Sequence, residues 1–386
     1  MKRNIKRILS LILCFAMLMS ISPFAFATEN QSPKFTEGIF TYTVTNGNAT
    51  VVDCDDDVSG KIAVPEALGG YIVTKIGKNA FDSCKQIVSI SMPDSVTYIG
   101  DKAFSYCYNL ENVKLSNNID IISSGLFYYC KNLSEITIPE DVTEIQNSAF
   151  SYCSSLSKIV LPEGLTEISG HVFQDCTALT EIKLPNSLEE IYGYSFEGCT
   201  NLSSVNIPSG IKAIYNYTFA NCESITKIEL PEGLSSIHEG GFKNCKGLAE
   251  INLPESVSFL HEEAFANCVN LKSITIPLNI KHLSYNAFSG CTGLKDVYYG
   301  GCIEKWERID KGESDAVDFE NATFHCKETT AKDLIGLKME ELKESSDMFV
   351  SKMMLLGLFF TYIGLGIVFE PVGYVIFFVK KIFSLV

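Results

Sequence analysis

Phenylalanine stands three residues before cysteine ten times in this chain, and those cysteines fall at 84, 107, 130, 153, 176, 199, 222, 245, 268 and 291. Every gap is 23 residues. So regular a period decides the architecture before any other feature is read. A unit this short cannot enclose a core, so the copies must stack and bury one another's apolar faces.

Aligned on the cysteine, the other apolar positions fall into place. Phe precedes it by three (Phe104, Phe127, Phe150, Phe173), and Leu or Ile follows by three (Leu110, Leu133, Leu156, Leu179). Six and eight after it comes a branched pair such as Ile136/Ile138 or Ile159/Leu161, the spacing of a strand with alternate residues inward. Proline then closes the strand in most copies (Pro93, Pro139, Pro162, Pro185), because it brings no N–H to a ladder; Ser116 is the departure. Twelve and fifteen after the cysteine lies another pair, such as Val142/Ile145 or Leu165/Ile168. Phe-x-x-Cys-x-x-Leu has the spacing of a short 3₁₀ or helical turn that aims three residues one way. Stacked at about 4.8 Å per coil, these units predict a solenoid.

The unit P-x-x-[VLI]-x-x-I-x-x-x-x-F-x-x-C-x-x-L-x-x-I-x-[LI] resembles the BspA-like leucine-rich repeat of bacterial surface proteins, from about Ile62 to Val297. The resemblance implies a leucine-rich-repeat solenoid, rich in β structure with short 3₁₀ or helical turns and capped at both ends. It also implies adhesion to matrix proteins or to other cells. FTYTVTNGNATVVDC and the residues after it look like an opening hairpin and first coil, with five extra residues and a Gly-Gly turn between Pro65 and Ile76. DVYYGGCIEKWERI and FENATFHC look like a closing cap that holds the single tryptophan, Trp306.

The ends carry different signals. Residues 1–27 read as a secretory signal: a basic start, an apolar run, and small residues at Ala25 and Ala27 for cleavage. From Met353 to Val379 the chain is apolar but for Glu370, long enough to span a bilayer, and Lys380 and Lys381 favour a cytoplasmic C-terminus. The expected organisation is a signal at 1–27, a hairpin cap at 28–60, the solenoid at 61–298 and a closing cap at 299–327. A partly helical stalk at 328–352, a transmembrane helix at 353–379 and a tail at 380–386 complete it. That topology places the bulk of the chain at the cell surface on a single-pass anchor.

The formal net charge is −15, and the signal segment alone contributes four positive charges, so the remainder is more acidic still. Such a surface argues against nucleic acid, whose phosphates need a basic footprint. None of the five histidines sits in a His-Glu-x-x-His pattern, and no nucleophile elbow, phosphate loop or dinucleotide fingerprint occurs. No enzyme, metal site or cofactor is expected. The ladder cysteines, one per coil and parallel, read as small buried thiols rather than zinc ligands or a bridged chain. Cys302 and Cys326 lie outside the register beside the closing cap, where a disulfide is an open alternative; Cys54 has no evident partner.

The candidate binding residues are aromatic and repeat with the period. Sixteen after the cysteine stand Tyr192, Tyr215, His238 and His261; two further on, Tyr194 and Tyr217 join His171. One before the cysteine stand Tyr106, Tyr129 and Tyr152. Tyrosine offers large contact area, few rotors and a polar tip, so such rows suit an extracellular protein ligand, and a row at coil spacing also suits a glycan. The bland reading is that the rings only stack coil upon coil. Outward strand positions such as Glu135, Lys158 and Glu181 alternate in charge and read as a solvated sheet.

Overall fold

In the computed structural model, residues 32–55, 57–312, 317, 319, 322–329, 333 and 337 are described. The chain opens with three antiparallel strands, β1 (Lys34–Glu37), β2 (Phe40–Thr45) and β3 (Asn48–Cys54). Then β4 (Ser59–Ala63) leads to a tight hairpin of β5 (Ala67–Leu68) and β6 (Tyr71–Ile76). Gly69 and Gly70 join that hairpin at φ of 59° and 84°, a pair of left-handed residues that glycine adopts without a Cβ clash. The extra residues of the first coil are spent here.

From β7 (Gln86–Ser91) onward the coils repeat. Each contributes a short strand just before its proline position, such as Glu135–Thr137, and these join in parallel runs of two or three strands with partners one period on, as Glu135 with Lys158 and Ile136 with Ile159. Ile136 and Ile138 are buried while Glu135 and Thr137 are exposed, the expected alternation. The proline carbonyl then accepts a bond from the residue three on, as Val142 N–H to Pro139 O at 3.2 Å, so proline ends the strand and opens a turn.

A second strand follows that the sequence did not disclose. Glu144–Ile145, Glu167–Ile168 and Glu190–Ile191 pair in parallel, Glu on Glu and Ile on Ile. Two residues are too few to display an alternation, and the spacing of three between Val142 and Ile145 reads as a turn. The inward side is unambiguous: Ile145, Ile168 and Ile191 are buried.

The Phe-x-x-Cys stretch departs from a plain 3₁₀ turn. Within one coil, Ala103, Ser105 and Cys107 bond back to the carbonyls of Gly100, Lys102 and Phe104, three residues earlier. Lys102, Phe104 and Tyr106 between them bond forward to Ser124, Leu126 and Tyr128 of the next coil. Half the amides close turns and half join coils, so no backbone donor in that run is wasted. The alternation goes with left-handed residues five before and one before each cysteine from Cys84 to Cys268, among them Lys102 and Tyr106 at φ of 55° and 58°.

Inside, ten phenylalanines from Phe81 to Phe288 form one continuous stack, with successive centroids 5.2 to 5.7 Å apart. Phe40 meets its first ring edge-on at 6.3 Å and Phe319 its last at 5.7 Å. The cysteines are buried beside it. From Cys107 to Cys291 each S–H donates to the carbonyl of the Phe one coil back, at 3.0–3.2 Å. Cysteine is therefore more than a small filler; it supplies a weak donor that alanine or valine lacks.

At the far end Asp296–Cys302 continues the first-strand row, α1 (Ile303–Glu307) follows, and Thr323–Lys327 adds a last parallel strand. Trp306 packs on Phe324 at 4.6 Å and Tyr299 at 5.4 Å, covering the open end of the core. Among the described residues no helix is long and apolar enough to cross a membrane. The signal at 1–27 and the apolar run at 353–379 lie outside the described residues.

Candidate binding surface

The structure brings each predicted row together. Tyr192, Tyr215, His238 and His261 stack in order at 5.4, 5.3 and 4.9 Å. His171, Tyr194 and Tyr217 stack at 4.6 and 5.1 Å, and Tyr106, Tyr129 and Tyr152 at 5.4 and 4.3 Å. The second and third rows occupy the two left-handed positions of the turn, with φ between 55° and 63°.

That placement carries both a cost and a return. A bulky residue in the left-handed region costs about 1–2 kcal/mol, and an aromatic pair returns about 0.5–1.5 kcal/mol beyond its area. The two nearly cancel. Other coils fill the same positions both with residues that suit them, such as Gly240, Asn244 and Asn267, and with residues that do not, such as Lys102, Ser148 and Glu263. Asn244 and Asn267 even form an amide ladder with Asn221 at 2.8 and 2.9 Å.

Polar contacts stitch the rows to one another. Tyr152 N–H donates to Gln174 O at 2.7 Å, and the Gln174 side chain meets His171 Nδ1 at 3.1 Å and donates to Glu197 at 2.7 Å. Burial raises the Asp175 and Glu197 carboxyls above their ordinary range. Tyr217 donates its hydroxyl to Glu239 at 2.6 Å, which together with burial pushes the phenol well up.

Further residues flank the rows, Tyr128 and Tyr108 among them, which the sequence already sets beside Tyr106, Tyr129 and Tyr152. Tyr128 meets Tyr106 and Tyr152 edge-on at 5.4 and 5.8 Å, and Lys131 lies over Tyr108 and Tyr129 at 5.4 and 5.6 Å. Glu144, Glu167 and Glu190 form a carboxylate row in strict register beside the aromatic one. Glu167 and then Glu190 act on Tyr192, whose phenol is raised chiefly by the first. His282 extends the histidine row, stacking on His261 at 5.3 Å. It sits at the glutamate position of its coil, two residues out of step, so a search on the period passes over it.

The histidines carry a pH consequence. Burial, and then a neighbouring imidazole, lowers the His238 and His261 pKa values below the ordinary 6.5. The unfolded chain therefore takes up protons first as pH falls. Stability from this pair is full above about pH 6.5 and declines as acid takes it toward the lower folded values. The thermal midpoint should fall between pH 7 and 5, and His238→Gln with His261→Gln should flatten that slope. An unchanged slope in the double variant would remove the row from the account.

Elsewhere, Asn112, Lys114, Glu135, Thr137 and Lys158 line an open groove of about 500 Å³ over the first-strand row. The groove is polar and holds no converging acid–base pair. Cys302 is buried and Cys326 exposed, on adjacent strands in which Cys302 pairs with Lys327. Among the described residues no group of three or more His, Cys, Asp or Glu side chains is placed to hold a metal ion.

A family model described as BspA type leucine-rich repeat region matches the chain in six copies, over residues 71–180 and 166–295. No curated protein matches it. Among solved structures, a leucine-rich cell surface protein from Faecalibacterium prausnitzii is 24% identical, with 74% of this chain and 100% of that one covered and a TM-score of 0.39. A leucine-rich repeat protein from Bacteroides ovatus is 22% identical, covering 76% and 100%, at 0.44. The pneumococcal vaccine antigen PcpA is 18% identical, covering 79% and 96%, at 0.47.

Proposed function

We propose that this chain, which belongs to the BspA-type leucine-rich repeat family, is a surface recognition protein whose aromatic rows hold an extracellular protein ligand. Leucine-rich repeat proteins of this type are cell-surface proteins and generally bind or scaffold rather than catalyse. The array acts as a rigid spacer and a recognition face, carried outside by the signal at 1–27 and held by the apolar run at 353–379.

The observation that carries the reading is tyrosine at left-handed positions in consecutive coils, where the backbone favours glycine or asparagine. Ring orientation bears on the ligand class. The rings stack on each other, with interplanar angles of 14° for Tyr192–Tyr215 and 19° for Tyr194–Tyr217. An inner ring thus turns its faces to its neighbours and leaves only its edge for a ligand. Sugar rings stack on aromatic faces, so a protein surface fits better than a glycan. The carboxylates of Glu167, Glu190 and Glu239 beside the rows favour a partner segment with cationic side chains.

The test is binding of residues 28–327 to a panel of matrix proteins, mucins and polysaccharides. Changing Tyr192, Tyr194, Tyr215 and Tyr217 together to Ala should weaken binding at least about tenfold, roughly 1.4 kcal/mol. Added salt should weaken it further. Binding untouched by the four substitutions, with the fold intact, would move the site elsewhere. Competition by glycans alone would turn the reading to a carbohydrate module, and no binding at all to a structural role in the envelope.

A further inference from the structure

Cys84 opens the ladder, and its surroundings differ from those of every later member. Cysteines from 107 on direct S–H to the Phe carbonyl of the coil before. The residue 26 before Cys84, where that Phe would stand, is Val58. Instead β3, the last strand of the opening hairpin, ends on Cys54 and brings its thiol to the same place. The two Sγ atoms lie 2.8 Å apart, and both residues are buried, 7% and 3% exposed. That is well inside the roughly 3.5–4.0 Å at which even carbon atoms make their best non-bonded contact. It is less than about 1 Å beyond a disulfide bond length.

We propose that Cys54 and Cys84 form a disulfide that fastens the opening hairpin to the first coil. The bridge encloses β4, β5 and β6, the strands on which both rows of the solenoid begin. An end coil has a neighbour on one side only, so the ends of a stacked array open before its middle. A covalent link here acts where fraying starts.

The chemistry is thiol–disulfide exchange with a protein or small-molecule disulfide as oxidant. One thiolate attacks the donor disulfide and releases a donor thiolate; the second cysteine then attacks the mixed disulfide at the first cysteine's sulfur and releases the other. Two protein thiols lose two protons and two electrons, and the donor leaves as two thiols. Folding raises the Cys54 thiol far above its ordinary range, first through its bond to Cys84 and then through burial. A thiol so placed is a poor nucleophile, so the bridge forms while the hairpin is still open and resists reduction once it has closed.

The full chain, held in detergent micelles, is refolded from urea in oxidised and reduced glutathione, denatured, alkylated and mapped without reductant. The expected result is one peptide pair joined through Cys54 and Cys84, with Cys153 and Cys176 recovered alkylated. Complete alkylation of both Cys54 and Cys84 overturns the proposal, and so does a scatter of bridges among many ladder cysteines. A second readout keeps the test open should mapping fail. The oxidised chain should melt higher than the reduced one, and Cys54→Ala should fold but lose that difference. A difference that survives Cys54→Ala also overturns it.

Discussion

Phe173→Ala should cost the array about 3–5 kcal/mol, the range for emptying a buried aromatic site. Phe173 has no exposed surface and lies between Phe150 at 5.7 Å and Phe196 at 5.3 Å. Alanine leaves a gap in a stack that runs unbroken for ten rings, and neighbouring coils cannot close it without giving up their own backbone bonds. Because stability in a stacked array is a sum over units and joints, the loss falls on two joints near the middle. Urea unfolding should therefore begin at a lower concentration and resolve into two steps, one for each flank of the gap. An unchanged midpoint would mean that the ring stack is not what holds the coils.

Ile168→Glu should be as damaging, whereas Glu167→Ile, one residue away, should fold. Ile168 is buried between Ile145 and Ile191 of the adjoining coils, and an unpaired carboxylate there has no partner to offset its dehydration. The cost is about 3–5 kcal/mol, on the scale of leaving one charge of a buried pair alone. Glu167 faces outward between Glu144 and Glu190, and losing one charge from a like-charged row relieves repulsion. Thermal midpoints of the two variants decide the matter. If they exchanged places, the second strand would be one residue out of register, since a slip of one turns every side chain to the other face.

That second strand marks where sequence reading stopped. The cysteine period, the inward Ile136 and Ile138, and the proline after them were legible because each repeats a distinct chemical type at a fixed offset. Glu144–Ile145 was not, because two residues carry no periodicity, and only the neighbouring coil makes them a strand. The aromatic rows were visible as residue types, but the left-handed backbone of two of them was not. It follows from amides that bond alternately within and between coils. His282 and Cys54 escaped for a related reason: each is out of step with the period and reaches its partner through space.

The register of one period has a consequence for how such a chain is inherited and how it folds. Glu135 meets Lys158, Glu144 meets Glu167 and Ser236 meets Phe259, always 23 residues on, so no strand contact within the array depends on how many coils there are. A duplicated or deleted unit of 23 residues leaves every remaining joint as it was and changes the length by about 4.8 Å. Growth can start at any coil and spread outward in the manner of a crystal, and the mean reach of a contact relative to chain length shrinks as coils are added. Size in this architecture is thus a number to be counted, adjustable by a single recombination event, while the two ends stay the same.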